Sequence, residues 1–238
     1  MTPDGPPRTL TVTPVTGLAE IGPGDDLARL IADRAAVVDG DVVVVTQKIV
    51  SKAEDRLVDI DPDDADARIR LIEDEAVRVL RRRGDLLITE TRHGFICANA
   101  GVDFSNVAAG RAALLPEDAD RSARRLRDGL RAATGAEVGV IVSDTFGRTW
   151  RRGVTDVAIG CAGVAAVVDL RGTADALGRQ LLATEVCVAD EIAAAAELVM
   201  GKASGIPVAV VRGIDPTWLR PGAVADEIIR PPAEDLFR

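Results

Sequence analysis

The segment 143–153, SDTFGRTWRRG, places acidic, hydroxyl and guanidinium groups directly after an apolar run. Asp144 and Thr145 offer a carboxylate and a hydroxyl, which are hard oxygen ligands suited to Mg²⁺ or Mn²⁺ beside nucleotide phosphates. Arg148 and Arg151 could clamp a phosphate or a carboxylate, which makes them candidate catalytic residues. The same segment would also fit a helix N-cap or a turn with solvated arginines, so both interpretations stay open.

A second polar segment, ANAGVDFSN at 98–106, follows another predicted strand. Asp103 could be a second metal carboxylate, and Ser105 and Asn106 could bond phosphate oxygens. A turn rich in Asx residues explains this composition equally well. Two aspartate-bearing segments that both follow strands nevertheless favour a shared site, because strand ends present side chains on a rigid support.

Lysine is rare in this chain, since only Lys48, Lys52 and Lys202 stand among 29 basic residues. GC-rich coding would produce this bias, but a retained lysine can also mark a position that needs a compact point charge. Lys52 follows the apolar run 41–50 and could reach a phosphate, or it could simply be solvated. Lys202 lies in GKASG, where the pattern GxxxxGK[ST] fails because residue 196 is alanine, so a P-loop NTPase is excluded.

The remaining metal-binding and nucleophilic residue types are sparse. His93 is the single histidine, so no multi-histidine metal site can form, and we expect a structural or substrate-orienting role. Cys97, Cys161 and Cys187 are far apart and include no CxxC pair. This disfavours a disulfide scaffold or a zinc site and favours a reducing cytoplasm.

Composition limits the classes of partner. The 238 residues are 47% hydrophobic and 28% charged, which is typical of globular proteins. A formal charge of −9 and an aromatic content of 3% argue against nucleic-acid binding. No apolar run approaches the ~20 residues of a membrane span, and the N-terminal MTPDGPPRTL lacks a signal-peptide core. We therefore expect no nucleic-acid or membrane partner.

Strand-like and helix-like segments alternate along the chain and must position these residues. Apolar periodicity predicts strands at 8–15, 41–50, 85–91, 95–100, 137–144, 154–160, 164–170 and 206–214. It predicts helices at 24–36, 65–83, 117–134 and 183–201 and an irregular tail. This alternation is too uneven for a Rossmann sheet, so the prediction is an α+β fold with mixed β-sheets and packed helices.

Six segments resemble the coenzyme F420:L-glutamate ligase family in their order and spacing. They are PVTGLAEIGPGDDL, GDVVVVTQKIVSKAEDRLV, IEDEAVRVL, HGFICANAGVDFSN, VSDTFGRTWRRGVTDVAIGCAG and TEVCVADEIAAAAELVMGKASGIPVAVVRG. No single segment is decisive, but six in order over nearly the whole chain are specific.

The resemblance implies GTP-dependent addition of L-glutamate to coenzyme F420-0 through an acyl phosphate, with further γ-linked glutamates in some members. It implies Mg²⁺ or Mn²⁺, with two ions expected, and it allows for a monovalent cation. It also implies a mixed α+β fold distinct from P-loop proteins and an intertwined homodimer with sites near the interface. We expect one catalytic unit over residues 1–238, without the C-terminal flavin-binding domain that some relatives carry.

Carried over by position, the resemblance assigns Asp103, Asp144 and Thr145 as metal ligands. It assigns guanine-nucleotide contacts to Leu18, Ala19, Glu20, Ile21, Gln47, Lys52, Asn106, Gly201, Lys202, Ala203 and Ser204. Ala19, Gln47 and Thr149 depart from the usual residues of the family, and Lys202 stands where some relatives carry glutamine near the second metal. Two alternatives stay open, namely a phosphotransferase acting on a small acid and a catalytically silent nucleotide-binding module.

Overall fold

The computed structural model of the chain describes residues 9–61, 63–64 and 66–236. The β-strands are β1 Thr11–Pro14, β2 Val42–Thr46, β3 Leu57–Asp59, β4 Ala76–Arg83, β5 Leu86–Thr91, β6 Ile96–Ala98, β7 Arg111–Ala113, β8 Gly139–Arg148, β9 Arg151–Ala162, β10 Val168–Asp169, β11 Glu185–Val186 and β12 Val208–Arg212. The α-helices are α1 Leu27–Ala32, α2 Gln47–Ala53, α3 Ala67–Glu75, α4 Ala119–Thr134, α5 Val188–Met200 and α6 Val224–Glu227. This mixture confirms the predicted α+β class.

The main sheet has the strand order β1-β12-β2-β8-β9. Only β2 and β8 are parallel, and the other neighbours in this sheet are antiparallel, so this is not a Rossmann sheet. β2 is central and its four valines are fully buried, which explains why its sequence is continuously apolar rather than alternating. Helices α4 and α5 pack against β8 and β9 and complete the large hydrophobic core.

Smaller sheets lie beside this core. β4, β5 and β6 form an antiparallel three-stranded sheet, while β3 pairs with β7 and β10 pairs with β11. A second hydrophobic cluster connects the first two of these sheets with α3; its buried members are Ile72, Leu87, Ala100, Val102, Ala112 and Leu114. This part of the chain carries the segment with Asp103, which forms an isolated bridge with Ala113 beside β7.

The predicted helix over 65–83 is wrong in its second half. Its first residue, Ala65, lies outside the described residues, and α3 ends where Ala76 adopts an extended backbone with φ −89° and ψ 137°. The following residues form β4 and pair with β5, where Arg78 makes a cross-strand salt bridge of 2.8 Å with Glu90. Because sheet pairing depends on neighbours that are distant in sequence, it overrides the local helical periodicity.

The predicted strand over 41–50 is also too long. β2 ends at Thr46, and the chain turns directly into α2. The buried side-chain amide of Gln47 donates to the Ser51 hydroxyl at 2.9 Å and to the Leu114 carbonyl at 3.0 Å. These hydrogen bonds satisfy a polar group inside the core and hold α2 at the end of β2.

Residues 145–153, which no predicted element covers, belong with the predicted strands 137–144 and 154–160 to one long β-hairpin. β8 lies beside β2 only as far as Ser143, and beyond this residue it pairs with β9. The pairing continues to Arg148 and Arg151 at the tip, where Trp150 adopts φ +60°. Side chains of the first half of the segment therefore alternate between two faces of a ladder.

Other boundaries differ by a few residues. Several elements are shorter than predicted; they include Leu27–Ala32, Val188–Met200 and Val168–Asp169, against predictions of 24–36, 183–201 and 164–170. The first residues of the predicted helix 183–201 contribute to β11 instead, and the tail that was predicted to be irregular contains α6. Arg8 of the predicted strand 8–15 and the last two residues of the tail lie outside the described residues. Within the described part of the chain, no helix is long and apolar enough to cross a membrane.

Candidate active site

A cavity of about 560 Å³ opens where the parallel strands β2 and β8 end. Thr46 and Ser143 face each other in the register of these strands, and both line the cavity. The other walls come from the segment before α1, from α2, from the segment around Asp103, and from the loop between α5 and β12. Ligand sites in sheets with parallel strands commonly lie at the carboxyl ends of those strands, and the volume suits a small molecule.

Hydroxyl and carboxylate groups at the start of the hairpin form a hydrogen-bonded cluster. The Ser143 Oγ donates to the Asp156 Oδ2 at 2.9 Å, and the Thr145 Oγ1 donates to the Asp156 Oδ1 at 2.5 Å. Asp156 is almost fully buried, and it lies opposite Thr145 in the β8–β9 ladder. Since a carboxylate can only accept these hydrogen bonds, both hydroxyl protons point towards Asp156.

Asp144 is an acid whose ionisation the protein disfavours. Burial raises the pKa of Asp144 to about 7, with a smaller contribution from the nearby carboxylates of Asp103 and Asp156. The Thr145 backbone N–H, which donates to the Asp144 Oδ1 at 2.8 Å, and the Lys202 ammonium act in the opposite direction. A bound cation would offset the negative charge that burial and repulsion make costly.

Asp103 lies in the same cavity, but neighbouring groups already compensate its negative charge. Burial alone would raise the pKa of Asp103, but hydrogen bonds from Lys48 and from Ser105 hold the pKa of this carboxyl below its usual value. The Lys48 Nζ lies 2.8 Å from the Asp103 Oδ2, and the Ser105 N–H and hydroxyl each donate to the Oδ1 at 2.7 Å. The pKa values of the two aspartates are therefore shifted in opposite directions although the residues share one cavity.

The α2 helix supplies a second lysine to the cavity. Lys52 is buried and its ammonium pairs with the Glu20 carboxylate, which is largely exposed. Gln47 is the first residue of the same helix, and its side-chain amide nitrogen already donates hydrogen bonds to the Ser51 hydroxyl and the Leu114 carbonyl. The Gln47 amide oxygen is therefore the group of this side chain that remains to contact a ligand.

The loop after α5 brings the third lysine. Gly201 has φ +62°, and a Cβ there would lie 2.7 Å from the Ser204 hydroxyl, so this turn requires glycine. The turn directs the Lys202 ammonium to the Thr145 hydroxyl, which accepts its hydrogen bond. Glu197, in the last turn of α5, also lines the cavity, and burial together with the Asp156 charge raises its pKa.

Most of the residues that the sequence predicted to be in the site meet in this cavity. They are the metal candidates Asp103, Asp144 and Thr145, and the nucleotide candidates Leu18, Ala19, Glu20, Ile21, Gln47, Lys52, Asn106, Gly201, Lys202 and Ala203. Ser204 lies behind Gly201 and does not line it. Arg148 and Arg151 are exposed at the hairpin tip, away from the cavity lining, so the structure does not bring these two candidate catalytic residues to the site.

Sequence reasoning missed three charged residues of the cavity. Asp156 was missed because the segment before it was predicted to be a loop, which hides the strand register that places Asp156 beside Thr145. Glu197 lies on an alanine-rich helix, where one acidic residue carries no signal of function. Lys48 had a usable signal in the rarity of lysine, but its partner Asp103 is 55 positions away in the sequence.

The donor set fits a hard divalent cation. Among residues 9–61, 63–64 and 66–236, no three His, Cys, Asp or Glu side chains converge as a ready metal cage. Asp103 and Asp144 instead offer carboxylates on the same cavity, and the Lys202 ammonium only partly offsets the effect of burial on Asp144. Mg²⁺ is usually held by one or two carboxylates together with substrate phosphates, so this pair suits an ion that can also coordinate nucleotide phosphates.

Comparison with known families agrees with this arrangement. The family model for F420-0:Gamma-glutamyl ligase matches residues 17–213, which include every cavity residue named above. This chain belongs to the F420-0:gamma-glutamyl ligase family. The match extends from the segment before α1 to just beyond β12, so the family relationship covers four of the five strands of the main sheet, all but β1, and all walls of the cavity.

Full-length relatives of this family member carry a consistent name. A protein from Methanopyrus kandleri called coenzyme F420:L-glutamate ligase is 44% identical over 97% of this chain and 98% of its own length. Proteins of the same name from Methanothermobacter thermautotrophicus and Archaeoglobus fulgidus are 41% and 42% identical, over 94% and 95% of this chain.

Proposed function

We propose that this chain is a ligase that adds L-glutamate to coenzyme F420-0, consuming GTP and requiring Mg²⁺ or Mn²⁺. The observation that carries the proposal is the meeting of two acidic segments and three lysines in one cavity, in a chain of this family. The names of the full-length relatives support the joining of L-glutamate to coenzyme F420. GTP, the metal and the reaction route are inferred from the resemblance and from the charges of the cavity.

The chemistry requires activation of a carboxylate, because a free carboxylate is a poor acyl donor at neutral pH. In the proposed route the γ-phosphoryl group of GTP moves to a carboxylate oxygen of the acceptor, and the bond to GDP breaks. The amine of L-glutamate then attacks the acyl carbon, phosphate leaves with the electron pair of the C–O bond, and the nitrogen loses a proton. The amide remains and further γ-linked additions would repeat the same steps.

The residues of the cavity have roles that follow from their charges. A divalent cation held by Asp103 and Asp144 would offset charge on the triphosphate and the carboxylate. Lys52 and Lys48 present ammonium groups that can bind phosphate oxygens once their carboxylate partners are displaced or neutralised. The buried hydrogen bond from Ser143 to Asp156 and the partly buried one from Thr145 keep this end of the cavity rigid, so positioning costs little when substrate binds.

We also propose a cytoplasmic homodimer, with a monovalent cation as an additional cofactor. The three cysteines are free thiols, two of them buried, which suits a reducing compartment. Exposed apolar side chains on the hairpin, Trp150 at 81% and Val154 at 61%, support a contact between subunits there. Light scattering of the purified protein measures the mass, and a monomer at micromolar concentration would contradict the dimer.

Mass spectrometry of the products tests the ligase directly. Coenzyme F420-0 incubated with protein, L-glutamate, GTP and Mn²⁺ should gain the mass of one glutamyl residue, and GDP should appear in equal amount. Excess chelator should abolish the product, and added Mn²⁺ or Mg²⁺ should restore it. Matched reactions with ATP in place of GTP test the nucleotide preference.

Two outcomes would favour the alternatives. A stable phosphorylated acceptor formed without glutamate would indicate a phosphotransferase. Nucleotide binding without cleavage, in the presence of every substrate, would indicate a silent binding module.

A further inference from the structure

The ammonium group of Lys202 occupies an unusual position for a surface-loop lysine. It donates a hydrogen bond to the Thr145 hydroxyl, at the acidic end of the cavity. The loop is held in this shape by the positive φ of Gly201, directly after α5 ends. The backbone therefore places this side chain over the residues that the sequence predicted to bind metal.

The Thr145 hydroxyl can offer its oxygen to a cation only on one side. Its proton points to the Asp156 Oδ1 at 2.5 Å, and Asp156 is itself fixed by Ser143 at 2.9 Å. The hydroxyl therefore cannot rotate without breaking a partly buried hydrogen bond. The lone pairs face the cavity, and Lys202 already uses this side of the oxygen.

The surrounding charges favour a permanent cation at this position. The Lys202 ammonium shares this cavity with the side chains of Asp144, Asp156 and Glu197. The cavity as a whole is lined by five carboxylates and three ammonium groups, a formal charge of −2. One divalent cation neutralises this charge, whereas two would give the substrate-free cavity a net positive charge.

We propose that the Lys202 ammonium is a built-in cation that takes the place of a metal ion at Thr145, so that this chain holds one divalent cation, through Asp103 and Asp144, rather than two. The inference rests on the metal requirement in the proposed function. It differs from that proposal in its prediction, because it concerns the number of ions bound and not whether glutamate is transferred. A tethered ammonium does not dissociate, so this part of the site is insensitive to chelators.

Counting bound Mn²⁺ tests the inference without any substrate. Nucleotide-free protein is titrated with Mn²⁺, and free ion is measured by its electron paramagnetic resonance signal. We expect one Mn²⁺ per chain in the natural protein and two in Lys202→Gln, in which Thr145 and its neighbours regain a vacant cation position. Two ions about 4 Å apart also couple magnetically, so the bound signal should broaden in the variant alone.

Lys52→Gln is the matched control, because it removes the same charge from the same cavity at a lysine that contacts Glu20 instead of Thr145. It should still bind one Mn²⁺ per chain. Two bound ions in the natural protein would overturn the inference even if Lys202→Gln failed to fold. Equal counts in the natural protein and a folded Lys202→Gln would overturn it as well, and a fall in GTP affinity alone would identify Lys202 as a phosphate ligand. Absence of glutamate transfer would contradict the proposed function but would leave the ion count intact.

Discussion

Replacing Asp144 by asparagine in the metal-free protein should raise the stability of the fold, in contrast to most substitutions of buried polar residues. Burial raises the pKa of Asp144 from 3.8 to about 7, so the folded chain holds this proton more tightly than the unfolded chain does. The free energy of unfolding therefore falls as pH rises through this interval. A tenfold change in an ionisation constant is worth about 1.4 kcal/mol, so ionised Asp144 costs about 4 kcal/mol at pH 8.

An asparagine side chain at this position has no charge to lose, so the gain from Asp144→Asn should depend on pH. Almost no gain is expected near pH 4, where the unfolded chain also keeps much of its proton. Between pH 5 and pH 8 the gain should grow by about 2–3 kcal/mol, because the unfolded chain has lost this proton while the folded natural protein keeps it up to about pH 7. Urea unfolding of both proteins in excess chelator, at pH 5 and at pH 8, measures the difference.

Asp103→Asn is the matched control, because its expected effect on the free energy of unfolding has the opposite sign. Hydrogen bonds from Lys48 and Ser105 overcome the effect of burial and lower the pKa of Asp103. Ionised Asp103 therefore stabilises the fold above its unfolded pKa, and this contribution disappears as pH falls through its folded pKa. Asp103→Asn should lose stability at both pH 5 and pH 8, where Asp144→Asn gains it.

Adding Mn²⁺ should reverse the order of stability at pH 8. The natural protein should be stabilised by mass action, whereas Asp144→Asn should respond weakly and lose activity about a thousandfold. A variant that is destabilised without metal, but remains active with it, would refute the assignment. That result would show that Asp144 is a turn residue whose hydrogen bond to the Thr145 N–H matters more than its charge.

Two further predictions concern binding and packing. Lys52→Ala should raise the KM for GTP about tenfold with little change in kcat, because a point charge beside a phosphate stabilises the bound ground state as much as the transition state. An unchanged KM would show that the ion pair of Lys52 with Glu20 has only a structural role. Gly160→Ala should lower the free energy of unfolding by about 3 kcal/mol, because its Cβ would lie 2.3 Å from the Ala119 carbonyl carbon. Gly147→Ala is the control, because a Cβ at this position of the same hairpin would have no atom within 4 Å, and thermal unfolding should show almost no change.

Proximity of the two aspartate segments could be predicted from the sequence because strand ends converge. The predicted strand 137–144 ends at Asp144, and although β8 continues to Arg148, its parallel pairing with β2 does end at Ser143 and brings Asp144 beside α2. The periodicity of apolar residues could not predict which strands pair with each other. The pairing of β8 with β9 and of β4 with β5 is a long-range property, and local patterns such as 65–83 read equally well as a helix.

The hydrogen-bond partners of the site were not predictable for the same reason. Asp156 orients the Thr145 hydroxyl only because the hairpin register sets them opposite each other. A shift of one residue in this register would move Asp156 to the other face of the ladder. Residue types near Asp144 therefore indicated oxygen ligands, but not which oxygen atoms would face the cavity.

Rarity of lysine was a useful signal because it reflects chemistry at single positions. Lys48, Lys52 and Lys202 all line the cavity, and each contacts a carboxylate or hydroxyl oxygen. A guanidinium is a wide planar fork suited to two parallel hydrogen bonds, so it would not fit between single oxygens at these distances. The exposed arginines at the hairpin tip carry no such constraint. In a chain whose default cation is arginine, each lysine therefore marks a place where a compact charge fits, and the proposal for Lys202 at Thr145 follows from the same argument.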